Sequence, residues 1–114
     1  VVDLLGRKEK DLVDNIRSTL ESRSLWERDL AAVTHDGFAL EKLSNRKNDR
    51  EIVLAAVKQD GCVLYYASND IKNDREIVLT AVSQNGYALR YASERLKNDE
   101  KIYLTVVNKH YYFK

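Results

Sequence analysis

Apolar residues recur along this chain at two spacings, three or four residues apart and again after about 25 residues. The shorter spacing is typical of one face of an α-helix. Residues 48–72 and 73–97 both begin with NDREIVL and carry a glycine near the middle. Residues 24–47 follow the same pattern one residue short, and 98–114 follow its first part. Because such a period is typical of stacked repeats, we predict an all-α solenoid of short helical hairpins stacked at right angles.

Each unit is predicted to open with a longer helix. Asn48 and Asn73 are each followed three residues later by glutamate, which is the pattern of a capping box, and Ser24 begins the first unit in the same way. Leucine and valine follow at positions three apart, as in Leu54 and Val57, and therefore share a helix face. Ile52 and neighbouring apolar positions point to the opposite side. We therefore expect this helix to be buried between its neighbours.

A glycine divides the unit. Gly37, Gly61 and Gly86 each follow Asp or Asn, and we predict that they end the first helix in the left-handed conformation. A β-hairpin turn is the alternative, but its flanks would alternate with a period of two, and these do not. The second helix is predicted to be short, over residues 38–44, 62–68 and 87–93, with a polar loop leading to the next unit.

Upstream of the repeats, Lys8 to Ser22 shows the apolar stripe of an amphipathic helix, which we expect to cap the open end of the first repeat. The stripe consists of Leu12, Val13, Ile16 and Leu20. The predicted division is therefore an N-terminal segment with its capping helix over 1–23 and a helical repeat domain over 24–114. The units of that domain are residues 24–47, 48–72, 73–97 and a partial 98–114.

Composition and charge narrow the classes of function. Hydrophobic residues are 44% of the chain and charged residues 32%, as in globular and unlike disordered proteins. Nineteen basic against 18 acidic residues give a net charge of +1, whereas nucleic-acid binders usually show a basic excess. The uncharged apolar run Ile52–Val57 is too short to span a membrane. The single cysteine, Cys62, fits a reducing compartment. No signal-peptide pattern is present, although a leader upstream of Val1 stays an open question.

The pattern N-D-R-E-x-V-L-x-A-V-x-x-N-G-x-x-L-x-x-A-S closely resembles the bacterial helical repeat family known as domain of unknown function 4116. The resemblance covers residues 24–107 and is strongest in the two central units. The first unit departs from it at Leu25, Trp26 and Leu43, and the last has His110 and Tyr111 where the glycine would stand. Similar repeats occur in host-associated bacteria, including some secreted effectors, and in protists and large viruses. The resemblance implies a helical repeat with an interaction role and supplies no catalytic residues.

Candidate catalytic and metal sites are weak. Cys62 and His35 would lie in adjacent units, with Asp36 or Asp60 near, so a cysteine nucleophile is conceivable. The Cys62 position, however, holds Phe38 and Tyr87 in the neighbouring units, which favours a packing role. No spacing of His and Cys is typical of a metal site, and no glycine-rich phosphate loop is present. We expect no catalytic residue, no metal and no cofactor.

Aromatic residues are the better candidates for a binding surface. Tyr66 and Tyr91 occupy one repeat position, and Lys42 occupies it in the first unit, which indicates solvent exposure. The alternative is that these tyrosines pack between repeats. The carboxyl end carries a second aromatic cluster that either folds back or recruits another chain, so a homodimer through the repeat end is open. The predicted partner-binding residues are Lys42, Tyr66, Tyr91, Tyr111, Tyr112 and Phe113.

These observations predict a non-catalytic module for protein–protein interaction, with no nucleic acid and no membrane as partner. The family resemblance adds the expectation of a small bacterial effector, or of a regulator that inhibits a partner enzyme. Its compartment is then the cytoplasm, or the cytosol of a host cell. Two alternatives are kept, a cysteine-dependent enzyme using Cys62 and a nucleic-acid-binding repeat protein. The basic ladder of Lys47, Lys72 and Lys97 is the feature that favours the second, but an aspartate beside each loop largely neutralises it.

Overall fold

A computed structural model describes residues 2–112 of the chain, with side chains over 8–108. Every regular element in this part is helical, so the prediction of an all-α fold class is confirmed. The α-helices are α1 (Val2–His35), α2 (Arg50–Gln59), α3 (Asn69–Lys72), α4 (Arg75–Gln84), α5 (Glu94–Lys97) and α6 (Glu100–Tyr112). The 3₁₀ helices are η1 (Gly37–Lys42), η2 (Ser44–Arg46), η3 (Gly61–Tyr66) and η4 (Gly86–Tyr91). None of the described helices is long and apolar enough to cross a membrane.

The helices form two layers with the core between them. The carboxyl half of α1 packs against α2, α2 against α4, and α4 against α6. The 3₁₀ helices η1, η3 and η4 contact one another in the same order and cover the α layer. Ile52, Ala56 and Val57 of α2 are all buried, as expected for a helix with two apolar faces. Leu40 and Leu64, from the 3₁₀ layer, close the core from the other side.

The helix caps lie one residue later than predicted. The N-cap of α2 is Asp49, whose carboxylate accepts from the amide of Ile52, and Asp74 caps α4 in the same way. The prediction that Asn48 and Asn73 are the caps was therefore wrong. Instead, the side chains of Asn48 and Asn73 accept hydrogen bonds from Ser68 and Ser93, which are the N-cap residues of α3 and α5. Aspartate serves as the cap because its negative charge also favours the positive end of the helix.

The glycines are required for close approach and not for backbone handedness. No residue in the described range has a positive φ, so the prediction of a left-handed helix terminus was wrong. The three repeat glycines, Gly37, Gly61 and Gly86, instead each begin a 3₁₀ helix. A Cβ on Gly37 would lie 2.6 Å from the carbonyl oxygen of Ala56, and one on Gly61 would collide with the carbonyl of Ala81. Glycine therefore lets the main chain of one unit touch the helix of the next.

The second half of each unit differs from the predicted α-helix and polar loop. It consists of a 3₁₀ helix followed, in the two central units, by the one-turn helices α3 and α5. These short helices bury Ile71 and Leu96, so the predicted polar loop contributes to the core. The first unit is one residue shorter here and has η2 instead, with no buried residue. Arg46 of η2 compensates by pairing with the buried carboxylate of Asp29 at 2.9 Å.

The N-terminal helix also departs from prediction. α1 runs without interruption from Val2 to His35, so the helix start predicted at Ser24 was wrong. The apolar stripe predicted to cap the first repeat is between 51% and 60% exposed at Leu12, Val13, Ile16 and Leu20, and thus covers nothing in the described residues. The division into 1–23 and 24–114 stays a prediction. The carboxyl-terminal aromatic side chains (Tyr111, Tyr112 and Phe113) lie outside the described side chains.

Candidate interaction surface

Aromatic side chains form a continuous row on the outer face of the 3₁₀ layer. The aromatic row consists of Phe38, Tyr66, Tyr65 and Tyr91. The ring of Phe38 meets that of Tyr66 edge-to-face with centroids 6.3 Å apart, and Tyr65 meets Tyr91 at 5.3 Å. Tyr65 and Tyr66 are 5.1 Å apart and nearly perpendicular. Edge-to-face contacts at these distances are favourable, so the rings of three successive 3₁₀ helices order one another.

The local fold determines which aromatic side chains face outward. In η3, Val63 and Leu64 are fully buried, whereas the next residue, Tyr65, is 57% exposed. Tyr66 and Tyr91 are half-buried and pack against the core, and Lys42 is exposed. The three residues of that predicted position therefore differ, and the tyrosines serve partly as packing between units.

Tyr65 was not among the predicted site residues, although the repeat contains the signal that identifies it. Its position holds Glu41 in the unit before and Arg90 in the unit after. Charged residues at this position in two of three units indicate that it faces solvent. An aromatic residue there does not serve core packing and is a candidate for binding.

The phenol groups along the row are available to a partner. The hydroxyls of Tyr65, Tyr66 and Tyr91 make no hydrogen bond within the part of the chain that the structure describes. Burial, then the nearby carboxylate of Glu41 and the two other phenols, raise the pKa of Tyr66. The phenol of Tyr66 is therefore neutral at physiological pH, and its hydroxyl can donate or accept a hydrogen bond.

A second repeated surface lies at the amino-terminal ends of α2, α4 and α6. The arginine edge consists of Arg50, Arg75 and Trp26, each reaching the N-cap aspartate of the following helix. Arg50 Nε donates to Asp74 at 2.9 Å and its Nη2 to Glu76 at 2.6 Å, while Arg75 Nε donates to Asp99 at 2.9 Å. In the first unit the indole of Trp26 donates to Asp49 at 2.8 Å. The basic groups of this edge are thus paired within the chain.

Comparison with protein families agrees with the repeat pattern. The family described as Domain of unknown function (DUF4116) matches residues 30–72 and 74–113. The chain belongs to this family. No curated protein and no solved structure matches it. Because DUF4116 has no assigned function, any chemistry has to be read from the residues of this chain.

The described surroundings of Cys62 include an amide and a carboxylate. Its half-buried sulfur accepts a hydrogen bond from the amide of Asn85 at 3.3 Å, and no hydrogen bond joins it to His35. Burial and the negative charge of Asp60 raise the pKa of the thiol, so the unreactive protonated form is favoured. Over the described residues no group of His, Cys, Asp and Glu is arranged to hold a metal ion.

Proposed function

We propose that this chain is a non-catalytic protein-binding module, built as a short solenoid, that contacts its partner through the aromatic row. The observation that carries the proposal is the position of Tyr65. This side chain is 57% exposed, yet two neighbouring tyrosine rings hold it in place. A large aromatic group that is already ordered loses little conformational entropy on binding, which is why tyrosine is enriched at interface hot spots.

The solenoid part of the proposal rests on contacts that recur at the repeat spacing. Arg50 reaches residues 24 and 26 positions ahead, and Arg75 reaches 24 positions ahead. The amide of Gly61 donates to the side chain of Gln84 at 2.5 Å, 23 positions ahead. Each unit is therefore tied mainly to the next one, as in repeat proteins that present an extended surface.

The features behind the two alternative functions carry less weight. Arg50 and Arg75, which lie beside the lysine ladder, are paired with Asp74, Glu76 and Asp99, and the whole chain carries a net charge of only +1. Within the described residues, the Cys62 sulfur accepts from the side-chain amide of Asn85, and no histidine is hydrogen-bonded to it. We therefore favour a protein partner over a nucleic acid or a substrate. The further idea of a regulator that inhibits a partner enzyme in a bacterial effector system comes from the family resemblance and stays a prediction.

The test compares three forms of the chain in affinity purification from the native host followed by binding measurements. These are the wild type, Tyr65→Ala with Tyr91→Ala, and the control Tyr103→Ala, whose side chain is 56% exposed on α6 outside the row. A protein retained by wild type and control but lost by the double variant is then purified. We expect its Kd to rise at least about 30-fold, or about 2 kcal/mol, in the double variant.

Folding of each variant is checked by circular dichroism and thermal unfolding. Because Tyr91 is half-buried, the single variant Tyr65→Ala serves if the double variant is unfolded. A purified partner that binds the Tyr65→Ala variant as tightly as the wild type contradicts the assignment of the surface. A purified chain that processes a substrate on its own contradicts the non-catalytic role.

A further inference from the structure

A groove runs beside the aromatic row, and its walls come from η3, the short helix α3, η4 and the start of α5. Its volume is about 450 Å³, and its walls carry the rings of Tyr65 and Tyr91 together with Lys72, Arg90 and Asn69. Aromatic surface thus borders two basic side chains and one amide. Such a combination of apolar wall and a few polar groups is typical of sites that orient a bound side chain.

The two basic side chains of the groove lack a carboxylate partner in the described part of the chain. The ammonium group of Lys72 lies 5.5 Å from the ring centroid of Tyr65, and the guanidinium of Arg90 lies 5.8 Å from that of Tyr87. Neither takes part in an ion pair there. The acidic residue of the groove, Glu94, is already paired with Lys97 at 3.2 Å.

This pattern contrasts with the arginine edge. There each arginine is neutralised by the next unit, whereas in the groove the cations rest on aromatic rings. Cation–π contacts hold a basic side chain without consuming its hydrogen-bond donors. Lys72 and Arg90 are therefore oriented, charged and still able to bind an anion. The hydroxyls of Tyr65 and Tyr91, which make no hydrogen bond among the described side chains, and the amide of Asn69 add further donors.

We propose that this groove binds an aspartate or glutamate side chain of the partner protein, with an adjacent apolar residue resting on the aromatic row. This inference rests on the proposed function, since it specifies the chemistry of the partner at the same surface. A protein carboxylate fits better than a nucleic acid because the groove carries only two cationic side chains, and the whole chain carries a net charge of only +1.

The probe is a phage-displayed library of random dodecapeptides selected on the immobilised wild-type chain. We expect enrichment of peptides with Asp or Glu next to Leu, Phe or Tyr. Synthetic copies of these peptides should bind Lys72→Glu, Arg90→Glu at least about tenfold more weakly than the wild type, and more weakly in high salt. The control Lys58→Glu, Lys101→Glu makes the same charge change at two exposed positions outside the groove and should bind normally.

Each remaining outcome is decisive. Uncharged peptides that depend on Tyr65 but not on Lys72 and Arg90 overturn this inference and leave the proposed function in place. Peptides that the Tyr65→Ala variant still binds, or no enrichment at all, contradict both. Competition by a 20-nucleotide single strand of thymidines indicates a nucleic-acid site instead and overturns the inference. If the glutamate pair does not fold, Lys72→Gln, Arg90→Gln removes both charges and should show the same loss.

Discussion

The arginine edge and the aromatic row are built from the same repeated units. They differ in whether their polar groups already have hydrogen-bond or ion-pair partners within the chain. On the arginine edge, Arg50 and Arg75 both meet a carboxylate of the following unit within 3 Å. On the aromatic row, the tyrosine rings contact one another, and their hydroxyls make no hydrogen bond among the described residues. The first surface uses its chemistry to hold adjacent units in register. The second has no such role between polar groups, and we propose that it binds another molecule.

This difference explains why exposure alone does not identify a binding surface. Arg50 and Tyr65 are both close to half exposed, at 46% for the arginine side chain and 57% for the tyrosine. Arg50 nevertheless has two partners within the chain, so a ligand would have to break an existing ion pair to use it. A ligand at Tyr65 would only have to displace water. The two residues differ in whether their polar groups already have partners in the described part of the chain.

The largest expected effect is a difference in unfolding free energy between variants of the aromatic row and variants of the core beneath it. Leu64 and Tyr65 are consecutive in η3, and Leu64 is fully buried. We expect Leu64→Ala to lower the free energy of unfolding by about 2–5 kcal/mol because it leaves a cavity. Tyr65→Ala should cost less than about 1 kcal/mol, since the side chain lies largely outside the core. Urea denaturation measures both. Equal losses would mean that Tyr65 belongs to the core and that the comparison fails.

A smaller effect is expected along the arginine edge. Asp74 caps α4 and also accepts from Arg50, so Asp74→Ala should lower the free energy of unfolding by about 1–2 kcal/mol. Arg50→Ala should cost less than Asp74→Ala, because the pair is partly exposed and screened by solvent. Glu51→Ala, an acidic residue of α2 with no ion pair in the described residues, is the control. Thermal unfolding is the measurement, and partner affinity should stay unchanged. Tighter or weaker binding by the Arg50→Ala variant would place the interface on this edge.

The smallest effect is a pH dependence at the end of the arginine edge. Hydrogen bonds from Arg75 and from the amide of Ile102 lower the pKa of Asp99 from 3.8 to about 2. Because the folded-state pKa lies below the ordinary value, the carboxylate stabilises the fold above about pH 4, and this contribution is lost as the pH falls toward 2. Burial raises the pKa of Asp74, but the bond from Arg50 and the amide of Ile77 outweigh it, so the net shift has the same direction.

The measurement compares thermal midpoints of the wild type and of Asp99→Asn at pH 6 and at pH 2.5. The difference between the two should shrink at the lower pH, where Asp99 of the wild type loses part of its charge. Arg75→Ala removes the other partner of the ion pair. The difference between its thermal midpoint and that of the wild type should also shrink at the lower pH. A difference that is constant between the two pH values would show that the Arg75–Asp99 pair contributes nothing to stability.

The repeat period was the most informative part of the sequence. It identified the all-α class and the places where helices recur, because apolar periodicity reflects burial directly. Local details were less well predicted. Both Asn48 and Asp49 are good N-cap residues, and the choice between them depends on Ser68, which is 20 positions away. The glycines were misread for a similar reason. A left-handed turn and a close contact both require glycine, and only the position of Ala56 and Ala81 distinguishes them.

The candidate surface shows the same division. Tyr66 and Tyr91 recur in the sequence and both lie in the aromatic row, but Tyr65, which joins them, has no tyrosine at its position in the other units. Residue types within one unit therefore determined which positions are apolar and which side chains can carry charge. Which of those groups are satisfied and which stay available was decided by tertiary structure, because each ion pair and ring contact between units joins side chains about 25 residues apart, and only folding brings them together.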